Sequence, residues 1–187
     1  MRGRWTRRIG RLIGRLIVPL AAAATIACAA ASDGVESPIS PAPAVPAGWQ
    51  TYTNPLYGFA VSYPAEFGIV VETTPPPGGA AARVRFQVKE LLTSAFVDRE
   101  PARFTVEVFF GDQATTLAAW LRSNNRLPAG AVTSTFALAG AAEGLKVQQR
   151  QQLAPNEFYY FSSGRYIFAV TPLGEHSAGM LASFRLI

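Results

Sequence analysis

From Tyr57 onward apolar side chains recur mainly at every second position, the spacing of strands with one buried face. Tyr57 to Tyr63 (YGFAVSY) sets Tyr57, Phe59, Val61 and Tyr63 on one side before Pro64 ends the run. Phe67 to Glu72 is a further strand that can pair next. Arg83 to Lys89 (RVRFQVK) places Val84, Phe86 and Val88 opposite Arg83, Arg85, Gln87 and Lys89, which predicts a half-buried antiparallel strand with a solvated basic side. Arg103 to Phe109 repeats the pattern through Phe104, Val106 and Val108, so the two runs predict one sheet with a covered face. The period then changes. Leu117, Trp120, Leu121 and Leu127 follow helical spacing over about Thr116 to Arg126, with Thr115 or Thr116 as N-cap and the Trp120 face packed on the sheet. Val132 to Leu138, Leu145 to Leu153, Glu157 to Phe161 and Arg165 to Thr171 are further strands. The last two are joined as a hairpin through Ser162, Ser163 and Gly164, and Ser177 to Phe184 forms a short final helix.

Six aromatic rings crowd that hairpin: Phe158, Tyr159, Tyr160, Phe161, Tyr166 and Phe168. Alternation sends some to each side of the sheet. With helices on both sides all of them are core; with one side open, Tyr159 and Phe161 form an interaction surface for a protein or glycan.

The first part of the chain follows another logic. Arg2, Arg4, Arg7, Arg8, Arg11 and Arg15 precede an uncharged run from Leu16 to Ala27, the basic and then apolar regions of a secretory signal peptide, here residues 1–27. A membrane-spanning helix needs about 20 apolar residues, and Pro19 interrupts this shorter run, so cleavage is expected rather than a span. The charge balance agrees. The whole chain carries 17 basic and 12 acidic residues, but beyond residue 27 the count is 11 against 12, so the basic pI belongs to the signal and nucleic acid is not an expected partner.

Thr25-Ile26-Ala27-Cys28 resembles the lipobox of bacterial lipoprotein precursors, with Thr25 where that family prefers Leu. The resemblance implies a diacylglyceryl lipid on Cys28 and cleavage just before it. Cys28 is the only cysteine, so it has no disulfide partner within the chain, and a lipid gives it a role. Ordinary cleavage near Ala29-Ala30-Ala31 is the alternative. Thr6-Arg7-Arg8 also resembles a twin-arginine export signal, with Gly10 where that signal has a large apolar residue. Residues 28–48 then read as a lipidated cysteine and a Pro/Ala-rich, disordered spacer able to hold a domain clear of the headgroups, and residues 49–187 as one globular domain. Thr74 to Ala82 (TTPPPGGAA) is an exposed loop inside that domain.

Tyr52-Thr53-Asn54, followed by Tyr57-Gly58-Phe59-Ala60-Val61-Ser62-Tyr63-Pro64, resembles the opening motif of PsbP-like domains, and Ser183-Phe184-Arg185 resembles their end. The likeness implies an α+β fold, a central antiparallel sheet flanked by helices as an α/β/α sandwich, often in exported or lipid-anchored proteins. It does not carry photosystem function over, because the residues tied to manganese or photosystem partners are not found here.

Catalytic chemistry finds little support. His176 is the only histidine, in Gly174-Glu175-His176-Ser177, and reads as a loop or helix-start residue: zinc needs three or four ligands, and a catalytic base needs an orienting third group. Asp98 and Glu100 lack calcium-loop spacing, and Gly78-Gly79 lacks the context of a phosphate loop. Gly140 to Gly144 is a turn or bulge, and no G-x-S-x-G occurs. The sequence therefore points to a non-enzymatic protein without cofactor, catalytic or metal-binding residues. It would be exported and anchored in the cell membrane, or in the outer membrane of a two-membrane envelope, and would bind or scaffold an envelope protein. The alternatives are a small-ligand-binding lipoprotein and an enzyme using dispersed polar residues near His176.

Overall fold

The computed structural model describes residues 45–72, 79–93, 100–112, 114–149 and 155–187, all within a compact unit spanning Ser40–Ile187. Ten strands and three short helices follow in the order β1 (Trp49–Asn54), β2 (Phe59–Pro64), β3 (Phe67–Glu72), β4 (Ala82–Val88), α1 (Lys89–Leu92), β5 (Phe104–Phe110), α2 (Leu117–Ser123), β6 (Val132–Thr135), β7 (Glu143–Gln148), β8 (Glu157–Ser163), β9 (Tyr166–Pro172), α3 (Ser177–Ser183) and β10 (Arg185–Leu186). The strands form two sheets, β1-β2-β10 and β3-β4-β5-β9-β8-β7-β6, with antiparallel pairing throughout.

Alternation explains the larger sheet. Val84 and Phe86 of β4, Phe104, Val106 and Val108 of β5, Tyr159 and Phe161 of β8, and Phe168 and Val170 of β9 line one face. Against them pack Phe59, Val61 and Tyr63 of β2, Met180 of α3 and Phe184. Phe109, Val147, Tyr160, Ile167 and Ala169 line the opposite face, where α2 sets Leu117, Trp120 and Leu121 on them. Thr116 caps α2, its Oγ1 accepting the Ala119 N–H at 3.3 Å, and Glu143 Oε2 accepts the Leu117 N–H at 2.8 Å.

Three expectations change. The layer on the β2 side is a small sheet with α3 rather than a layer of helices, so the domain is richer in strand than an α/β/α sandwich. β2 is buried on both sides, Ala60 and Ser62 included, because it is the central strand between β1 and β10. β3 pairs with β4 in the other sheet rather than with β2.

Candidate interaction surface

Tyr159 and Phe161, which the sequence makes either core or, with one side of the sheet open, an interaction surface, are core residues at 7% and 0% exposure. Both point to the face that the small sheet and Phe136 cover: Phe136 meets the Tyr159 ring edge-on at 4.9 Å, and Phe184 stacks on Phe161 at 5.8 Å. The Tyr159 hydroxyl donates to Glu157 Oε2 at 3.1 Å. Glu157 also pairs with Lys146 at 2.8 Å, and that hydrogen bond holds the Glu157 carboxyl below its ordinary range and raises Lys146.

The exposed aromatic surface lies elsewhere, at one end of the larger sheet. Phe110, the last residue of β5, is 62% exposed and stands opposite Tyr166 in the ladder, with ring centroids 5.9 Å apart. Tyr57, in the turn joining β1 to β2, meets Tyr166 edge-on at 5.4 Å, and its neighbour Leu56 is 72% exposed. Arg165, in the β8–β9 turn, places its guanidinium 5.1 Å from the Tyr166 centroid and 5.8 Å from that of Phe110. The turn is well held: Asn54 Oδ1 accepts the Tyr57 N–H, the Asn54 carbonyl accepts the Gly58 N–H, and Gly58 takes a φ of 70°. A side chain at Gly58 would also crowd the Ile187 carbonyl. Sequence periodicity places Phe110 on the same side as Phe104, Val106 and Val108; nothing local marks where the covering layer stops.

A cleft of about 280 Å³ opens near this end, between the start of α2 and the β8–β9 hairpin. Ile167 and Leu117 give it apolar surface, and Asp112, Thr115, Glu143 and Ser162 give it polar groups. Asp112 Oδ1 accepts the Ala114 N–H, so both carboxylates also hold the α2 approach in place.

The basic side of β4 is not simply solvated. Arg83 donates from Nε and Nη2 to Glu107 Oε1 at 3.0 and 2.7 Å and from Nη1 to Glu72 Oε2 at 3.2 Å. Arg126 reaches Glu107 Oε2 at 3.2 Å and lies 4.4 Å over the Phe109 ring. Arg85 Nε is 2.8 Å from Glu72 Oε1, although this buried nitrogen has no aligned hydrogen bond. Gln87 is buried because it folds over the chain and donates to the Pro101 carbonyl at 3.2 Å.

His176 caps the start of α3 with a left-handed φ of 64°. Its ring stands edge-on to Trp49 at 6.0 Å and to Phe67 at 6.2 Å, and Nε2 lies 3.5 Å from Glu66 and 3.7 Å from Glu175. It is therefore a packed helix-start residue between two exposed carboxylates. No group of three or more His, Cys, Asp or Glu that could hold a metal occurs among the described residues. Asp98 and Cys28 lie outside them.

Fold and surface together define a sheet-rich α+β domain of two antiparallel sheets, with an aromatic and cationic end. No family model matches the chain, and no curated protein matches it. Among solved structures it is similar to the solution structure of cyanobacterial PsbP from Synechocystis sp. PCC 6803, at 13% identity and a TM-score of 0.47 over 76% of this chain and 94% of that one. It is also similar to a GTP-binding regulator from Thermotoga maritima, at 12% identity and a TM-score of 0.34 over 64% and 76% of the two chains.

Proposed function

We propose that this chain is an exported, lipid-anchored, non-enzymatic protein, with a PsbP-like domain that docks on another component of the cell envelope. The lipidation site is Cys28, on the strength of the Thr25 to Cys28 motif, and the anchor lies in the cell membrane or, with two membranes, in the outer one. The observation that carries the docking reading is the cluster of exposed Leu56, Phe110 and Arg165 around the half-buried Tyr166. Large apolar side chains held rigidly in water at one end of a domain mark a contact surface, whereas single scattered ones do not. Aromatic and arginine side chains are also the groups enriched where proteins dock.

Two measurements test this. The intact mass of the mature protein should show lipid on a chain beginning at Cys28; an unmodified chain beginning near Ser32 sinks the anchor. A photo-crosslinking amino acid in place of Phe110, in the lipidated protein on its native envelope, should give adducts that the same group at exposed Glu90 does not. If both positions give the same pattern, the docking surface is wrong.

The cleft beside Asp112 and Glu143 supports the second reading, a small-ligand-binding lipoprotein, since it combines apolar surface with a few polar groups. A ligand screen by thermal shift, repeated on Ser162→Ala, decides it: no ligand that stabilises the protein and depends on Ser162 leaves this reading without support.

A further inference from the structure

We infer that the partner of the exposed end is the bilayer itself: Leu56 and Phe110 enter the headgroup boundary while Arg165 meets anionic headgroups, which lays the domain down on the membrane to which its chain is tethered. This rests on the docking reading above and names what is docked upon.

The chemistry of the end fits a lipid boundary. Leu56 and Phe110 are its most exposed members, and the two tyrosines beside them combine an apolar ring with a polar tip, the pairing found at membrane interfaces. No charged residue occurs between Glu36 and Glu66, so the whole β1–β2 hairpin and its turn are uncharged. Among the described residues, Arg165 is the one ionic group in contact with the Phe110 and Tyr166 rings. Its Nη2 donates to the Tyr166 hydroxyl at 2.9 Å, and it forms no ion pair among the described residues. A guanidinium held over the exposed Phe110 ring and the half-buried Tyr166 ring complements a phosphate headgroup while its stem lies along apolar surface.

The reach of the chain allows this placement. Cys28 is separated from Trp49 by residues 29–48, a length of about 60 Å at the roughly 3.1 Å per residue of Pro-rich chain. Trp49 begins β1, and the Leu56 turn lies beyond its other end, roughly 17 Å away at 3.4 Å per residue. The spacer is thus several times longer than the strand it must pass. An anchored domain can turn its far end to the lipid, and the anchor raises the effective concentration of that weak contact.

The test uses the mature chain from residue 28 with Cys28→Ser, so that no lipid anchor contributes; the compact unit begins at Ser40 and is left whole. Cosedimentation is measured with phosphatidylcholine vesicles with and without phosphatidylglycerol. The expected result is sedimentation with the anionic vesicles, weakened by salt. Leu56→Ser and Phe110→Ser should each lower the partition coefficient about tenfold. Arg165→Gln should remove the preference for anionic lipid. Circular dichroism and the unfolding midpoint confirm that these exposed substitutions leave the fold intact.

No sedimentation at low salt overturns the inference, as does binding that the Leu56→Ser/Phe110→Ser double variant retains. Crosslinks from Phe110 to a protein, without vesicle binding, also overturn it while leaving the docking reading standing. Absence of both vesicle binding and specific crosslinks removes the two together.

Discussion

The hydroxyl of Ser183 takes the place of a strand beside Ser62, accepting the Ser62 N–H at 2.9 Å and lying 3.2 Å from the Ser62 carbonyl oxygen. β10 pairs with β2 only at Ala60 and Phe59. Continued by two residues, that register brings Ser183 opposite Ser62, but there the chain already belongs to α3. A side chain therefore completes a ladder that the backbone has left. Its proton is shared between the Ser62 carbonyl and that of Met180, at 2.8 Å, and both serines are buried.

Ser183→Ala removes the one hydroxyl that, among the described residues, satisfies the Ser62 backbone on that side, and leaves a buried N–H and C=O facing a methyl group. Such a loss costs about 1–3 kcal/mol. Ser62→Ala keeps the backbone bonds and loses only the hydroxyl contact with Thr51, so it should cost less. Urea denaturation of both variants decides the point. Equal midpoints for Ser183→Ala and the parent protein contradict the ladder role.

Gly144 sits in β7 where a side chain cannot fit. A Cβ there would fall inside the Phe136 carbonyl, whose residue donates its N–H to the Gly144 oxygen at 2.9 Å. Gly144→Ala must therefore separate the chain after β6 from β7 and disturb the Phe136 ring over Tyr159 and Phe161. The expected loss is about 2–4 kcal/mol, in the range of overpacked cores and broken edge pairing together. Gly130→Ala, in a turn with nothing near the new Cβ, should lose only the cost of its positive φ, about 1 kcal/mol. Thermal midpoints in the reverse order would show that the close approach of Phe136 is not what Gly144 is for.

These contacts mark the limit of what local pattern conveys. The strands from β3 to β5, the β8–β9 hairpin, α2 with Thr116 as cap, and α3 are legible because each carries its own period and its own punctuation. β1 is not, since WQTYTN has no apolar face, and β10 is too short to show a period. The sheet partner of β3 and the double burial of β2 depend on how distant segments stack, which the period of one strand does not encode. The choice between core and surface for Tyr159 and Phe161 was open in the sequence for the same reason. Tyr159 and Phe110 are indistinguishable as alternating aromatics; Phe136 packs over one, and the covering hairpin stops at Tyr57 short of the other.

Burial raises the Tyr160 phenol above its ordinary value, with the Arg126 charge opposing the shift. The sign of the effect on stability follows. Below about pH 10 the phenol is protonated in both folded and unfolded chains, and it contributes no pH dependence. Above that, the unfolded chain loses its proton first, so stability falls as pH rises. Tyr160→Phe should flatten this alkaline decline, and denaturation midpoints across pH 9 to 11 measure it. An unchanged decline in the variant assigns the effect to other groups.

Glu107 is the centre of the ion-pair network on the α2 side of the sheet, because it alone among the described residues joins an arginine of β4 to one of the loop after α2. Its carboxylate is 13% exposed, while Arg83 keeps Glu72 as a partner and Arg126 keeps the Phe109 ring. Loss of Glu107 thus uncouples two half-buried guanidiniums at once, whereas loss of Arg126 removes one bond from a carboxylate that Arg83 still holds. Glu107→Gln should cost about 1–3 kcal/mol and Arg126→Gln less, as partial exposure weakens each pair. The double variant should cost less than the sum, with a coupling of about 0.5–1 kcal/mol. A cycle with additive losses, or a larger loss from Arg126→Gln, would move the centre of the network away from Glu107.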